Sequence, residues 1–181
     1  MQHKENNKHW VVLVKSSLLA FVIIAIMFSI IGCSEDSGTG SGNGVKLGPG
    51  IGMVAVVDGN NWAAPTGGCF AWKANDIYGL GGIDVTSSLT IGLFFNGSGV
   101  GDYDISSKVL NNNAVVGPIG NDYGWSAGDS QGSGVISVAT LTETRIAGTF
   151  SFTAIADSIG LTPTTRVVKN GAFDLEFDPI E

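Results

Sequence analysis

The chain has 181 residues, of which 44% are hydrophobic, and a formal net charge of −7 at pH 7. Such an acidic chain offers no basic stripe to neutralise phosphates, which excludes nucleic acid as a partner. Both histidines, His3 and His9, lie at the amino-terminal end. The rest of the chain therefore lacks the base for Ser-His or Cys-His catalysis and the usual ligand of zinc, iron and copper sites. We expect no cofactor and no metal.

The amino-terminal segment is typical of a secretory signal peptide. Lys4, Lys8 and Lys15 make its start basic, and residues 18–31 then form a run of 14 uncharged residues in which Ser29 is the one polar group. A membrane-spanning helix needs roughly 20 apolar residues, whereas the apolar core of a signal peptide needs about 7–15. The alternative is an uncleaved anchor that takes in Lys15, at a cost of about 2.5–3.5 kcal/mol.

The end of this run resembles a bacterial lipoprotein lipobox, with Ile30, Ile31 and Gly32 directly before Cys33. The resemblance implies that the Cys33 thiol receives a diacylglycerol, that cleavage removes residues 1–32, and that the new amine is acylated with a fatty acid such as palmitate. Several acyl chains hold a protein stably at a membrane, whereas one chain does so only marginally. The alternative is a cysteine that stands there by chance.

The residues after Cys33 predict where the protein is located. Ser34 follows the cysteine, so the Asp of the inner-membrane retention signal is missing, and Glu35 and Asp36 come next. This order resembles the surface-export signal of some Gram-negative lipoproteins. It predicts an outer-membrane location, with an outward-facing and a periplasmic orientation as the alternatives. Residues 33–50 are rich in Gly and Ser, so we expect a flexible tether that spans about 20–25 Å.

Removal of residues 1–32 leaves 15 acidic and six basic residues, a net charge of −9. Cys69 is then the only cysteine besides Cys33. We expect Cys69 to be a buried, chemically inert thiol, because its neighbours are apolar and no histidine is left to activate it.

Residues 51–181 alternate between apolar and polar positions, with turns of Gly, Asn and Asp between short runs. In the last run, Phe173, Leu175 and Phe177 alternate with Asp174 and Glu176, so one face is expected to pack inward. No stretch of ten residues shows a helical apolar stripe. The pattern predicts a single antiparallel β-sandwich, or a partly open barrel, of about eight to nine strands.

Three segments of this region, "GMVAVVDGNNWAA", "GSGVISVATLTETRIAGTFSFTA" and "VVKNGAFDLEFD", resemble a group of uncharacterised bacterial lipoprotein domains. The resemblance covers most of residues 51–178. It implies a secreted β-rich fold and an envelope location. Because the group has no assigned activity, it implies no catalytic residues.

Two Gly-rich motifs do not predict catalysis. "GDSQG" matches the pattern of a nucleophile elbow around Ser130, but a strand pattern follows it where a helix is required, and the partner histidine is missing. "GSGVGD" lacks both the lysine and the helix of a phosphate-binding loop. Both are expected to be turns.

Two pairs of carboxylates, Asp102 with Asp104 and Asp174 with Glu176, lie two residues apart on predicted strands. Each pair would share one face at roughly 6–7 Å, a spacing that permits glycosidase chemistry but also describes any solvated strand of an acidic protein. A loop calcium site is a further alternative, although its candidate ligands form no ordered ligand run. These candidates are Asp102, Asp104, Asp122 and Asp129.

The loop at residues 121–130 is the candidate binding site. It places Tyr123 and Trp125 between Asp122 and Asp129. Flat aromatic rings beside polar groups suit the stacking of a sugar ring or contact with a protein, while a buried tryptophan that closes one end of the domain is the alternative. The sequence therefore predicts a membrane-anchored, non-enzymatic interaction or structural module. Glycan binding is the second hypothesis and a carboxylate-dependent hydrolase the third.

Overall fold

The computed structural model describes residues 47–106, 109, 111–121, 124–128, 131–158 and 160–178. The predicted signal peptide, Cys33 and most of the tether lie outside these residues. No helix in the described part is both long and apolar enough to cross a membrane. The strands are β1 (Ile51–Val57), β2 (Asn60–Pro65), β3 (Cys69–Ala74), β4 (Ile77–Asp84), β5 (Leu89–Asn96), β6 (Gly101–Ile105), β7 (Asn113–Pro118), β8 (Trp125–Gly128), β9 (Ser133–Leu141), β10 (Arg145–Ala156) and β11 (Thr165–Glu176).

The predicted all-β, antiparallel fold is confirmed, but the sheet has eleven strands where about eight to nine were expected. The largest difference is β8, which lies inside the stretch interpreted as a loop from its Gly, Asp and Ser residues. Four residues between such turn residues are too few to show the alternation of apolar and polar positions that identifies a strand. Pairing with β7 and β10, which only the folded chain supplies, makes this segment a strand.

All strands belong to one sheet, which forks at β10. The main path runs β2-β1-β11-β10-β8-β7-β5-β4-β3. Strand β8 pairs with Ile155 and Ala156 of β10, whereas β9 pairs with the stretch from Ile146 to Thr153 on the same strand. Strand β6 extends this second branch by pairing with β9.

The sheet curls into a nearly closed barrel around one apolar core. The two ends of the main path, β2 and β3, are joined by a single 3-10 turn at Thr66–Gly68. Trp62 and Tyr78 are almost fully buried, and the Trp62 indole N–H donates to the Leu89 carbonyl oxygen at 3.1 Å. The predicted inward face of the last strand is confirmed, since Phe173 and Leu175 are buried in this core.

The hairpin of β1 and β2 turns at Asp58 and Gly59. The sequence predicts a turn at residues 58–61, but the turn is shorter, because β2 already begins at Asn60. Both residues have positive φ, 50° and 85° respectively. A two-residue hairpin turn of the type whose twist matches that of the strands requires this backbone, and Asp-Gly adopts it at little cost.

Candidate functional site

Trp125, the centre of the predicted aromatic loop, is a core residue. It is 3% exposed, and its indole N–H donates to the Pro163 carbonyl oxygen at 2.6 Å. The guanidinium carbon of Arg166 lies 4.3 Å from the ring centroid, so a cation–π contact covers the ring. With its ring covered and its N–H engaged, Trp125 offers no face on which a sugar could stack. It closes one end of the barrel instead, which was the alternative interpretation.

The other residues of the predicted site, Asp122, Tyr123 and Asp129, lie outside the described residues, so their role stays a prediction. The residues on either side of Asp129 are hydrogen-bonded to each other. Gly128 and Gln131 exchange two backbone hydrogen bonds, at 2.7 and 2.9 Å.

A polar network lies beside this segment on the outer face of the sheet. The Ser126 hydroxyl donates to Asp157 Oδ1 at 2.5 Å, and Gln131 Nε2 donates to the Ser126 hydroxyl at 3.0 Å and to Asp157 Oδ1 at 3.1 Å. The three side chains therefore serve as hydrogen-bond partners for one another. The network therefore holds the chain on either side of Asp129 and does not present an activated nucleophile.

The two predicted carboxylate pairs do not form an acid–base site. Asp102 and Asp104 are both exposed on β6. Asp174 accepts two hydrogen bonds from the Arg145 guanidinium, at 2.7 and 2.6 Å, and Glu176 is exposed. Within the described residues, no group of three or more His, Cys, Asp or Glu side chains could hold a metal ion.

Asp84 is the one buried carboxylate among the described residues. Residues of the turn that follows it donate hydrogen bonds to its side chain. Burial tends to raise the pKa of Asp84, but hydrogen bonds from the Ser87 hydroxyl at 2.7 Å and the Thr86 backbone N–H at 2.9 Å outweigh it and lower the pKa overall. A carboxylate held ionised in this way stabilises a turn and is a poor general acid.

Cys69 is buried, as predicted. Its thiol lies 3.3 Å from the Pro65 carbonyl oxygen, to which it donates. A β-carbon added at Gly52 would lie 2.7 Å from Cys69 Sγ, so the surrounding chain packs tightly against the sulfur. This environment fits an inert thiol.

Sequence reasoning missed a set of aromatic rings on the outer face of β3 and β5, formed by Phe70, Trp72 and Phe94, which we call the outer aromatic surface. Phe70 is buried and the other two are half-buried. The inward positions of the same strands, such as Ala71 and Leu93, are fully buried in the core. The three rings therefore lie outside the barrel.

The aromatic rings of β3 pack against two glycines of β4. A β-carbon built on Gly79 would lie 2.3–2.4 Å from three atoms of the Trp72 indole, and one on Gly81 would lie 2.3 Å from the Phe70 ring. Each ring must therefore lie against the bare backbone of β4. The Trp72 and Phe94 ring centroids are 6.5 Å apart.

This arrangement could not be found by reading any one segment. Trp72 is paired with Gly79, and Gly79 with Phe94, so the contact depends on the register of three strands. The available signal was the spacing of two residues between Phe70 and Trp72 in "CFAWKA" and the same spacing between Gly79 and Gly81 in "IYGLGGID".

The chain matches no protein-family model, no curated protein and no solved structure. The resemblance to bacterial lipoprotein domains therefore stays a prediction that rests on the residues quoted for it. Among the described residues, the outer aromatic surface is the candidate site.

Proposed function

We propose that this chain is a lipid-anchored lipoprotein of the bacterial outer membrane, and that its barrel is a non-enzymatic interaction module on the cell surface. The lipobox at residues 30–33 and the Gly/Ser-rich residues that follow support the anchor. In this proposal Cys33 carries the acyl chains, and the tether holds the barrel clear of the bilayer.

The outer aromatic surface is the observation that carries the binding part of the proposal. Trp72 and Phe94 are half-buried, and the Trp72 ring packs against the backbone at Gly79. Fixed aromatic rings at a surface contribute binding energy at a small cost in conformational entropy. By contrast, the carboxylates proposed for hydrolysis are exposed or paired with Arg145, and we do not propose catalysis.

Metabolic labelling with radioactive palmitate tests the anchor. We expect the wild-type chain to be labelled and Cys33→Ala to be unlabelled. Cys69→Ala is the matched control, because it removes the other cysteine of the mature chain and should keep the label. Label that persists in Cys33→Ala, or a mature protein that still begins at Met1 by mass spectrometry, would refute the anchor.

Protease treatment of intact cells tests the location. A surface-exposed barrel should be degraded without permeabilising the outer membrane. Protection in intact cells together with degradation in permeabilised ones would place the anchored barrel in the periplasm instead.

A further inference from the structure

We propose that the outer aromatic surface binds neutral glycans, with Trp72 and Phe94 as stacking rings and Asn113 as a hydrogen-bonding group. The proposal rests on the proposed function as an interaction module and assigns that module a site and a ligand class. It places the glycan site on β3–β7 and not on the loop around Trp125.

The first argument is the shape of the surface. Gly79 lies between Trp72 and Phe94 in the sheet register and has no side chain, so the indole packs against the backbone of β4 while Trp72 stays partly exposed. A pyranose presents a face of C–H groups that packs on such a ring by dispersion and by removal of apolar area from water. The Trp72 and Phe94 ring centroids are 6.5 Å apart and their planes are tilted by 53°, so β3 and β5 each offer a ligand one aromatic face, and the two faces differ in orientation.

The second argument is the presence of unused hydrogen-bonding groups beside the rings. The indole N–H groups of Trp62 and Trp125 donate to backbone carbonyl oxygens. Within the described residues, the indole N–H of Trp72 has no such acceptor, and the side-chain amide of Asn113 has no partner. Asn113 is the register partner of Phe94 on β7, so the two side chains project from neighbouring positions on the same face of the sheet.

A sugar ring combines an apolar face with hydroxyl groups at its rim. The outer aromatic surface has the same combination, because it carries the apolar rings of Trp72 and Phe94 together with the Trp72 indole N–H and, on the register partner of Phe94, the Asn113 amide. A purely apolar occupant would leave both polar groups unpaired on burial, which costs about 1–3 kcal/mol for each group.

The third argument is charge. The outward positions of β3, β4, β5 and β7 around the rings carry no acidic or basic side chain, although the chain as a whole has a net charge of −7. A charged ligand would find no counter-charge among them, and a second copy of the chain would bring an equally acidic barrel close to the first. A neutral ligand avoids both penalties.

Affinity electrophoresis tests the proposal. The full chain, purified from membranes in a neutral detergent, is run in native gels with and without laminarin, hydroxyethyl cellulose, xylan or mannan, and with alginate as the anionic comparison. We expect at least one neutral polysaccharide to slow the wild-type chain. Trp72→Ala should weaken that binding at least tenfold, while Trp72→Phe, which keeps a ring over Gly79, and Asn113→Ala should weaken it about threefold.

Val85→Ala is the matched control, since Val85 is 74% exposed and lies outside the outer aromatic surface. It should bind like wild type, and all variants should show the wild-type far-UV circular dichroism spectrum. If no neutral polysaccharide slows the wild-type chain, if only alginate does, or if Trp72→Ala binds as well as wild type, the proposal is wrong. A dimer in light scattering that Trp72→Ala abolishes, without polysaccharide binding, would assign the surface to a second copy.

The outcomes separate this inference from the anchor. A chain that takes up palmitate but binds no neutral polysaccharide refutes the glycan site alone. A chain that binds a neutral polysaccharide through Trp72 but takes up no palmitate refutes the anchor alone.

Discussion

Asp58, in the turn of the first hairpin, and Arg166, near the start of the last strand, form an ion pair in which Asp58 Oδ2 lies 2.9 Å from Arg166 Nη1. The same carboxylate accepts a hydrogen bond from the Val167 backbone N–H at 2.8 Å. Because the Arg166 guanidinium also covers Trp125, this pair connects the hairpin, the last strand and the closed end of the barrel.

We expect Asp58→Ala to lower the free energy of unfolding by about 1–2 kcal/mol, because it removes both hydrogen bonds and the charge beside Arg166. Asp58→Asn should cost less, since an amide oxygen can still accept from the Val167 N–H and Asn tolerates positive φ. Urea denaturation measures both. Equal losses for the two variants would show that the charge dominates, and no loss in either would show that the pair does not stabilise the fold.

Trp125→Phe should lower the free energy of unfolding by about 1 kcal/mol or more, because the Pro163 carbonyl oxygen loses its donor while an aromatic ring remains beneath Arg166. Polysaccharide binding should be unchanged, in contrast to Trp72→Phe. Paired urea and affinity-gel measurements check this. A binding defect in Trp125→Phe with wild-type stability would return the glycan site to the loop at residues 121–130.

Gly81→Val tests the close approach of Phe70 to β4. A β-carbon at Gly81 would lie 2.3 Å from the Phe70 ring and 3.1 Å from the Ile91 carbonyl oxygen, so the ring must move. We expect a loss of about 1–3 kcal/mol in the free energy of unfolding, measured in urea. Gly99→Ala is the control, because nothing lies within 4 Å of an added β-carbon there. A fully stable Gly81→Val would mean that Phe70 has an alternative position at no cost.

Asp84 should make stability depend on pH. Its pKa in the folded chain lies below the ordinary 3.8, since the hydrogen bonds from Ser87 and Thr86 outweigh burial. A lowered folded pKa stabilises the protein above the ordinary pKa, and this stabilisation is lost as the pH falls through the folded value. Asp84→Asn should therefore cost about 1–2 kcal/mol at neutral pH, and its deficit should shrink between about pH 5 and pH 2.

Urea titrations at several pH values measure this difference directly. Asp76→Asn, in the exposed turn between β3 and β4, is the matched control and should keep the wild-type profile. If the free energies of unfolding of wild type and Asp84→Asn differ by the same amount at every pH, the pKa of Asp84 is not lowered in the folded chain.

Local patterns predicted those parts of the fold that local physics determines. The turn at Asp58 and Gly59 and the inward face of Phe173 and Leu175 follow from residue types within a few positions. The register between β3, β4 and β5 does not, because it depends on pairing between distant residues. For this reason the sequence did not predict that the Trp72 ring packs against Gly79.

The candidate loop shows the same limit. Trp125 stands among turn residues, so its sequence context left both an exposed stacking ring and a buried ring at one end of the domain as interpretations. Arg166 and Pro163, which cover its ring and accept its indole N–H, lie about 40 residues away in the sequence. A tryptophan between polar neighbours can therefore be a core residue when distant chain segments cover it.

The fork at β10 leaves β6 at the end of the shorter branch, paired along one side with β9 and, among the described residues, with no strand on its other side. An open strand edge can recruit another chain and begin aggregation. Asp102 and Asp104 stand exposed on this strand. Edge-to-edge pairing of two copies would bring these like charges together, so Asp102 and Asp104 disfavour growth of the sheet at this edge.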